Sequence, residues 1–189
     1  MKRAVFLDRD GVVNRRDLGY VNSPDDLELL PGVPQALKSL ADMGFLLILV
    51  TNQAGVGEMF MDEHDLEAIH GRLEQILAAE NATLNNIYCC THARDAGCNC
   101  RKPKIGLLEA AASQYAINLR TSYMVGDSPS DMECGVRAAC TTIFILGDRE
   151  AAALTGQDEK NRAMVWSDFL AWDLADAAKL ISELEAARG

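Results

Sequence analysis

Long apolar runs, repeats and positive charge are scarce in this sequence. No apolar stretch approaches the roughly 20 residues that a membrane-spanning helix needs, and the first apolar run, which ends at Asp8, is too short for a secretory signal. We therefore expect a cytoplasmic protein with no membrane partner. Lys and Arg total 18 against 28 Asp and Glu, a net charge of -10. Such an acidic chain is a poor partner for nucleic acid, and any anion that it binds needs a locally basic site.

The 189 residues instead alternate short apolar runs with amphipathic helical patterns. Strands are predicted at residues 4–7, 45–50, 86–90, 122–125 and 142–146, and residues 163–166 suggest a short edge strand. Helices are predicted at 34–43, after Asp62, at 106–115, at 129–139 and around 174–184. This order favours a Rossmann-like α/β fold, with a parallel sheet covered by helices on both faces. We expect one domain over residues 1–189 and no large cap domain, so that the loops at 10–22, 54–61 and 91–100 would shape any pocket.

Polar side chains follow four of the predicted strands. They are Asp8 and Asp10 after the first strand, Thr51, Asn52 and Gln53 after the second, Arg101 and Lys102 after the third, and Asp127 with Asp131 after the fourth. Each of them alone is compatible with an ordinary loop, cap or surface residue. Because parallel strands end at the same edge of a sheet, their joint occurrence predicts one shared site there.

Carboxylates, a hydroxyl and an ammonium group together suit the chemistry of phosphate esters. A carboxylate can attack an anionic phosphate only if a hard cation offsets the charge, and Mg²⁺ prefers oxygen ligands. One aspartate can then form an acyl phosphate, while a carboxyl group two residues on protonates the leaving oxygen and later activates water. The hydroxyl and the ammonium hold the remaining phosphate oxygens. The pattern predicts a Mg²⁺-dependent phosphatase.

A second cluster consists of Cys90, His92, Cys98 and Cys100, within eleven residues of the chain. In a reducing compartment, cysteines spaced so closely favour a metal site over disulfides. Three thiolates and one imidazole fill the tetrahedral shell of Zn²⁺, which indicates a small zinc-binding loop with a structural role. The alternative is a loop with incidental free cysteines.

The four polar strand endings resemble, in order, the motifs of the haloacid dehalogenase superfamily of phosphatases. The resemblance covers nearly the whole chain. It implies that Asp8 is the nucleophile and Asp10 the general acid and base. It also implies that Thr51 and Lys102 hold the phosphate, and that Asp127 binds Mg²⁺ together with Asp8 and the main-chain carbonyl of Asp10.

The zinc loop narrows this resemblance to the branch of heptose-bisphosphate and histidinol-phosphate phosphatases, and residues 18–21 and 30–33 look more like the heptose enzymes. This branch implies a sugar phosphate substrate, with removal of the C7 phosphate of D-glycero-D-manno-heptose 1,7-bisphosphate in lipopolysaccharide heptose biosynthesis as the expected reaction. It makes Asn52, Gln53 and Arg101 candidates for substrate contact. The sequence departs from the heptose enzymes at two positions. Glu58 lies in a loop that usually carries Arg-Gly, and Ser128 stands in place of a lysine. Both differences remove positive charge.

Three other functions are compatible with the sequence. One is hydrolysis of histidinol phosphate or another small phosphomonoester. A second is a receiver-like module that keeps phosphate on Asp8 as a signal, and a third is a zinc-dependent interaction protein with a degenerate active site. The oligomeric state is open, and a monomer is compatible with the sequence.

Overall fold

A computed structural model describes residues 1–16, 21–147 and 157–188. The strands are β1 (Ala4–Leu7), β2 (Leu46–Asn52), β3 (Asn86–Cys90), β4 (Tyr123–Gly126), β5 (Thr141–Ile145) and β6 (Phe169–Ala171). The α-helices are α1 (Val33–Asp42), α2 (Ala54–Gly57), α3 (Glu63–Ala79), α4 (Gly106–Tyr115), α5 (Pro129–Arg137), α6 (Gln157–Val165) and α7 (Leu174–Ala186), and short 3-10 turns lie at Pro24–Asp26 and Leu119–Thr121. All strand pairs are parallel, in the order β3-β2-β1-β4-β5-β6. This is the strand order of the Rossmann fold, and the predicted fold class is confirmed.

The side chains of β1 show why helices cover both faces of the sheet. Val5 and Leu7 point into a core shared with α1, α3 and α7. Ala4 and Phe6 point into a second core, formed with α4 and α5, as the two-residue period of a strand requires. All four side chains are fully buried. A strand buried on both faces appears in a sequence as a continuous apolar run, which is how β1 was predicted.

Side-chain caps fix where two of the helices begin. Asp62 accepts a hydrogen bond from the main-chain N–H of Asp65 at 2.8 Å and starts α3, as predicted. Ser128 caps α5, where the carboxylate of Asp131 in turn accepts from the main-chain N–H of Ser128 at 3.1 Å. The second cap places Asp131 directly beyond the end of β4.

The edge strand predicted at residues 163–166 is wrong. These residues form the end of α6 and the turn after it, and the edge strand is β6, which pairs with β5. Ala163 is fully buried against Met132 and Phe144, whereas Met164 is 46% and Val165 79% exposed. One buried residue in a mostly exposed segment fits a helix that touches the core along a narrow stripe.

The described residues contain no separate cap domain. Residues 18–20, on which part of the family resemblance depends, lie outside the described ranges. Within those ranges, no helix is both long enough and apolar enough to cross a membrane.

Candidate active site and metal sites

The candidate active site lies beyond the carboxyl ends of β1 and β4. These strands are neighbours at the centre of the sheet, where the strand order reverses and a crevice opens. A pocket of about 690 Å³ occupies this crevice. Its lining includes each residue that the sequence predicted for phosphate chemistry or substrate contact, namely Asp8, Asp10, Thr51, Asn52, Gln53, Arg101, Lys102 and Asp127, and also Asp131.

Lys102 is buried at the floor of this pocket between two carboxylates. Its Nζ lies 2.8 Å from Asp8 Oδ1 and 2.6 Å from Asp131 Oδ1, and it donates to the carbonyl of Val50 at 2.7 Å. Burial alone would lower the pKa of Lys102, but the charges of Asp131 and Asp8 raise it above its usual value. The ammonium group is therefore charged and neutralises part of the carboxylate cluster.

Asn52 holds the chain segment that carries Lys102. Its side chain accepts from the main-chain N–H of Lys102 at 3.0 Å and donates to the carbonyl of Lys102 at 3.2 Å. The side-chain hydrogen bonds of Asn52 thus run to Lys102, although Asn52 also lines the pocket.

Asp10 is held by three side-chain donors. Arg9 donates through Nε and Nη2 at 3.1–3.2 Å, Asn14 Nδ2 at 3.0 Å and Gln53 Nε2 at 2.9 Å. Gln53 also donates to Thr51 Oγ1 at 2.8 Å, which joins the predicted acid-base residue to the predicted phosphate-binding hydroxyl. Burial alone would raise the pKa of Asp10, but the Arg9 charge and these hydrogen bonds hold it below its usual value. Asp10 is therefore a carboxylate near neutral pH.

Three carboxylates form a group that suits a divalent cation. Oxygens of Asp8, Asp127 and Asp131 lie within 4.8 Å of one another. Burial and the charge of Asp131 raise the pKa of Asp8 to about 6, and burial and the charges of Asp8 and Asp131 raise that of Asp127 to about 7. Asp127 Oδ2 accepts from Arg16 Nη1 at 3.0 Å, while Oδ1 is buried and has no partner among the described residues.

An unpaired buried acceptor beside other carboxylates is the environment that Mg²⁺ would satisfy. Both oxygens of Asp131 already have partners, because Oδ1 lies 2.6 Å from Lys102 Nζ and Oδ2 accepts from Ser128 Oγ at 2.6 Å. Asp8 and Asp127 are therefore the side chains most suited to hold the ion. The backbone also has little room here, because a Cβ atom at Gly11 would lie 2.0 Å from Asp127 Oδ2 and Gly11 has a positive φ of 85°.

The four predicted zinc ligands lie together at the end of β3. Cys90 Sγ is 3.6 Å from both His92 Nδ1 and Cys98 Sγ, and Cys100 Sγ is 3.2 Å from Cys90 Sγ and His92 Nδ1. Donor atoms around a tetrahedral Zn²⁺ lie about 3.5–3.8 Å apart. The cluster is close to this geometry, so these side chains fit a zinc ion and offer four ligands to it.

Several polar residues in or next to the pocket were not identified from the sequence. Arg9 is 1% exposed and binds Asp10, and the only sequence signal for this role is its position between two aspartates. Asn14 binds Asp10, and Arg16 binds Asp127. Glu58 and Arg94 form an ion pair at the mouth of the pocket. No pattern in the sequence indicates these partners.

Together, the strand order, the aspartates beyond β1 and β4 and the buried lysine define a class of protein. Residues 99–177 match a family model described as HAD-hydrolase-like. The chain belongs to the haloacid dehalogenase-like phosphatases, a family that its relatives establish over nearly the whole sequence. It is therefore an enzyme, and phosphomonoester hydrolysis is the reaction of its family.

Several relatives of this chain are phosphatases of one name. The chain is 34% identical over 192 residues, covering 98% of this chain and 100% of the relative, to the D-glycero-beta-D-manno-heptose-1,7-bisphosphate 7-phosphatase of Pasteurella multocida. It is 40% identical over 145 residues, covering 76% of this chain and 83% of the relative, to the enzyme of that name from Helicobacter pylori. A crystal structure of D,D-heptose 1,7-bisphosphate phosphatase from B. bronchiseptica, complexed with magnesium and phosphate, matches with a TM-score of 0.82 and 32% identity, covering 97% of this chain and 99% of that one.

Proposed function

We propose that this enzyme removes the C7 phosphate of D-glycero-β-D-manno-heptose 1,7-bisphosphate. Relatives that carry this activity in their names align over almost the full length of the chain. We further propose that it acts as a single domain in the cytoplasm, where the thiols of the cysteine cluster stay reduced.

The charge of the pocket is the observation that best supports a bisphosphate substrate. The lining contains five basic side chains and five acidic ones, so that their formal charges cancel in a chain with a net charge of -10. A divalent cation would make the pocket positive, which favours a highly charged substrate. The basic residues are Arg9, Arg16, Arg94, Arg101 and Lys102, and the acidic residues are Asp8, Asp10, Glu58, Asp127 and Asp131.

Hydrolysis would proceed through a phosphorylated Asp8. A carboxylate oxygen of Asp8 attacks the C7 phosphorus and the phosphorus–sugar oxygen bond breaks, while Asp10 gives its proton to the leaving sugar oxygen. Thr51 and Lys102 bind the other phosphoryl oxygens. Mg²⁺, held by Asp8, Asp127 and the carbonyl of Asp10, would offset the negative charge that otherwise repels the nucleophile.

In the second step Asp10 takes a proton from water, whose oxygen attacks the phosphorus of phospho-Asp8. Inorganic phosphate leaves and free Asp8 is restored. The lowered pKa of Asp10 suits its role as base in this step, because the carboxylate form is already favoured. As the acid of the first step Asp10 must carry a proton, so the first step should slow as the pH rises.

Arg101 is our candidate for the phosphate that is not transferred. It lines the pocket next to Lys102, and its Nη1 is buried without a hydrogen-bond partner among the described residues. A guanidinium group can bind two phosphate oxygens at once. Zn²⁺ bound by Cys90, His92, Cys98 and Cys100 would stiffen the loop that precedes Arg101.

The test is phosphate release with Mg²⁺ from the heptose bisphosphate, histidinol phosphate and nucleotides, by the unmodified protein and by Asp8→Asn. We expect the heptose bisphosphate to have the highest kcat/KM, and the folded variant to be inactive because an amide cannot form the acyl phosphate. Faster turnover of histidinol phosphate would overturn the substrate. Near-normal turnover by Asp8→Asn would overturn the covalent step and with it the roles proposed above.

A further inference from the structure

An ion pair spans the mouth of the active-site pocket. Arg94 Nη1 lies 3.1 Å from Glu58 Oε2, and both side chains line the pocket. Glu58 directly follows α2, whereas Arg94 belongs to the loop between His92 and Cys98. The pair therefore joins two separate loops that both contribute to the pocket lining.

Packing of the main chain, rather than the ion pair, fixes these two loops relative to each other. A Cβ atom at Gly57 would lie 2.2 Å from the backbone nitrogen of Ala93 and 2.7 Å from the carbonyl oxygen of Thr91. Glu58 itself is anchored by its main-chain N–H, which donates to the carbonyl of Ala54 at 2.9 Å. Loss of the Glu58 charge should therefore leave Arg94 at the pocket mouth.

The ion pair is also weak enough to exchange partners. The side chain of Arg94 is 56% exposed and that of Glu58 20% exposed, and solvent screens such pairs strongly. A phosphate group carries up to two charges and can accept two N–H groups of one guanidinium. A phosphate at the pocket mouth should thus displace the carboxylate of Glu58.

We propose that Arg94 is a specificity residue that moves from Glu58 to the non-transferred phosphate of a sugar bisphosphate, where it acts beside Arg101. Glu58 competes with that phosphate and so sets how strongly the enzyme prefers bisphosphates over monophosphates. This inference rests on the proposed function and names residues that would read the second phosphate. Arg16 also lines the pocket, but we do not assign it to the second phosphate because it binds Asp127, a predicted metal ligand.

The test measures binding to the inactive Asp8→Asn protein with Mg²⁺ by titration calorimetry. The ligands are heptose 1,7-bisphosphate and heptose 7-phosphate, which differ only in the remote phosphate. Arg94→Ala should weaken bisphosphate binding about tenfold, the usual effect of a lost charged hydrogen bond, and change 7-phosphate binding by less than about twofold. Glu58→Gln should strengthen bisphosphate binding by about threefold, with the same small effect on the 7-phosphate.

Two control variants make the same charge changes outside the pocket lining. Arg120→Ala and Glu80→Gln alter exposed residues in segments that precede the amino ends of β4 and β3, so they should leave the ratio of the two dissociation constants unchanged. Equal weakening of both ligands by Arg94→Ala would overturn the proposal. Weaker bisphosphate binding by Glu58→Gln would also overturn it, since Glu58 would then assist rather than compete.

Failure of the proposed substrate gives a different result. If the Asp8→Asn protein binds neither heptose ligand, the proposed function fails, and glucose 1,6-bisphosphate with glucose 6-phosphate supplies the same comparison. The inference itself is overturned if Arg94→Ala and Glu58→Gln leave the ratio of the bisphosphate and monophosphate dissociation constants unchanged for both ligand pairs.

Discussion

Replacement of Lys102 by methionine gives the sharpest test of the site's electrostatics. The change keeps an apolar stem but removes an ammonium group that lies 2.8 Å from Asp8 and 2.6 Å from Asp131 at a position only 3% exposed. Removal of one partner from a buried ion pair costs about 3–5 kcal/mol. In a chain of this length that corresponds to a fall in Tm of about 10 °C.

The loss of stability should depend on pH. Burial and the Asp131 charge raise the pKa of Asp8 to about 6 even though Lys102 lowers it, so the pKa must rise further without Lys102. The folded variant then keeps a proton that the unfolded chain releases near the ordinary aspartate pKa of 3.8. The free energy of unfolding of the Lys102→Met variant therefore falls as the pH rises. Its deficit in unfolding free energy relative to the unmodified protein should grow above about pH 6.

Urea unfolding followed by circular dichroism, without added Mg²⁺, measures this deficit at about pH 5.5 and about pH 8. Lys38→Met, which removes an exposed lysine from α1, is the matched control. An equal deficit at both pH values, or one no larger than that of the control, would refute the argument that Lys102 neutralises the aspartates. Turnover should also fall at least about 100-fold, because the charge that we propose binds the phosphate is lost.

Three further predictions concern the metals and a half-buried histidine. Elemental analysis should find one zinc per chain. The Cys98→Ser variant should lose this zinc, whereas the control Cys89→Ser, which alters a cysteine outside the cluster, should keep it. Full retention of zinc by Cys98→Ser would contradict the proposed ligand set. Asp127→Ala should raise the Mg²⁺ concentration for half-maximal activity by at least about tenfold, and an unchanged Mg²⁺ dependence would remove Asp127 from the site. Burial and the Arg9 charge lower the pKa of His70 from 6.5 to about 4. The neutral His70 therefore stabilises the fold above pH 6.5, and this contribution is lost as the pH falls towards 4. His70→Gln should therefore reduce, by at most about 3 kcal/mol, the loss of unfolding free energy that occurs as the pH falls. A variant that loses as much unfolding free energy at low pH as the unmodified protein would contradict this.

The sequence predicted most of the fold because four of the six strands, β1, β2, β4 and β5, are almost entirely buried. β1 and β4 are continuous apolar runs with no exposed side chain, and such runs are easy to recognise. β6 has only three residues, one of them 41% exposed. The longer apolar run at 163–166 was therefore predicted as the edge strand instead. Among the described side chains of helix α6, Ala163 is the one that packs in the core, so the sequence showed no helical period there.

The placement of the site residues was predictable where it follows from the end of a strand. Asp8 and Asp127 occupy such positions, and the topology of the sheet brings them together. The partners of these residues depend on side-chain directions that no local pattern specifies. The hydrogen bonds of Asn52 to Lys102, for example, join positions 50 residues apart.

The position of β1 between β2 and β4 has a consequence for synthesis on the ribosome. β1 ends at Leu7, yet its partner β4 begins only at Tyr123 and is therefore made much later. Until then one edge of an entirely apolar strand has no neighbour, and exposed edges of this kind invite association with other chains. The nascent chain also lacks Asp127, so it cannot assemble the carboxylate group before β4 has emerged. Chaperone protection during translation should therefore matter more for this enzyme than for one whose strands pair in the order of their synthesis.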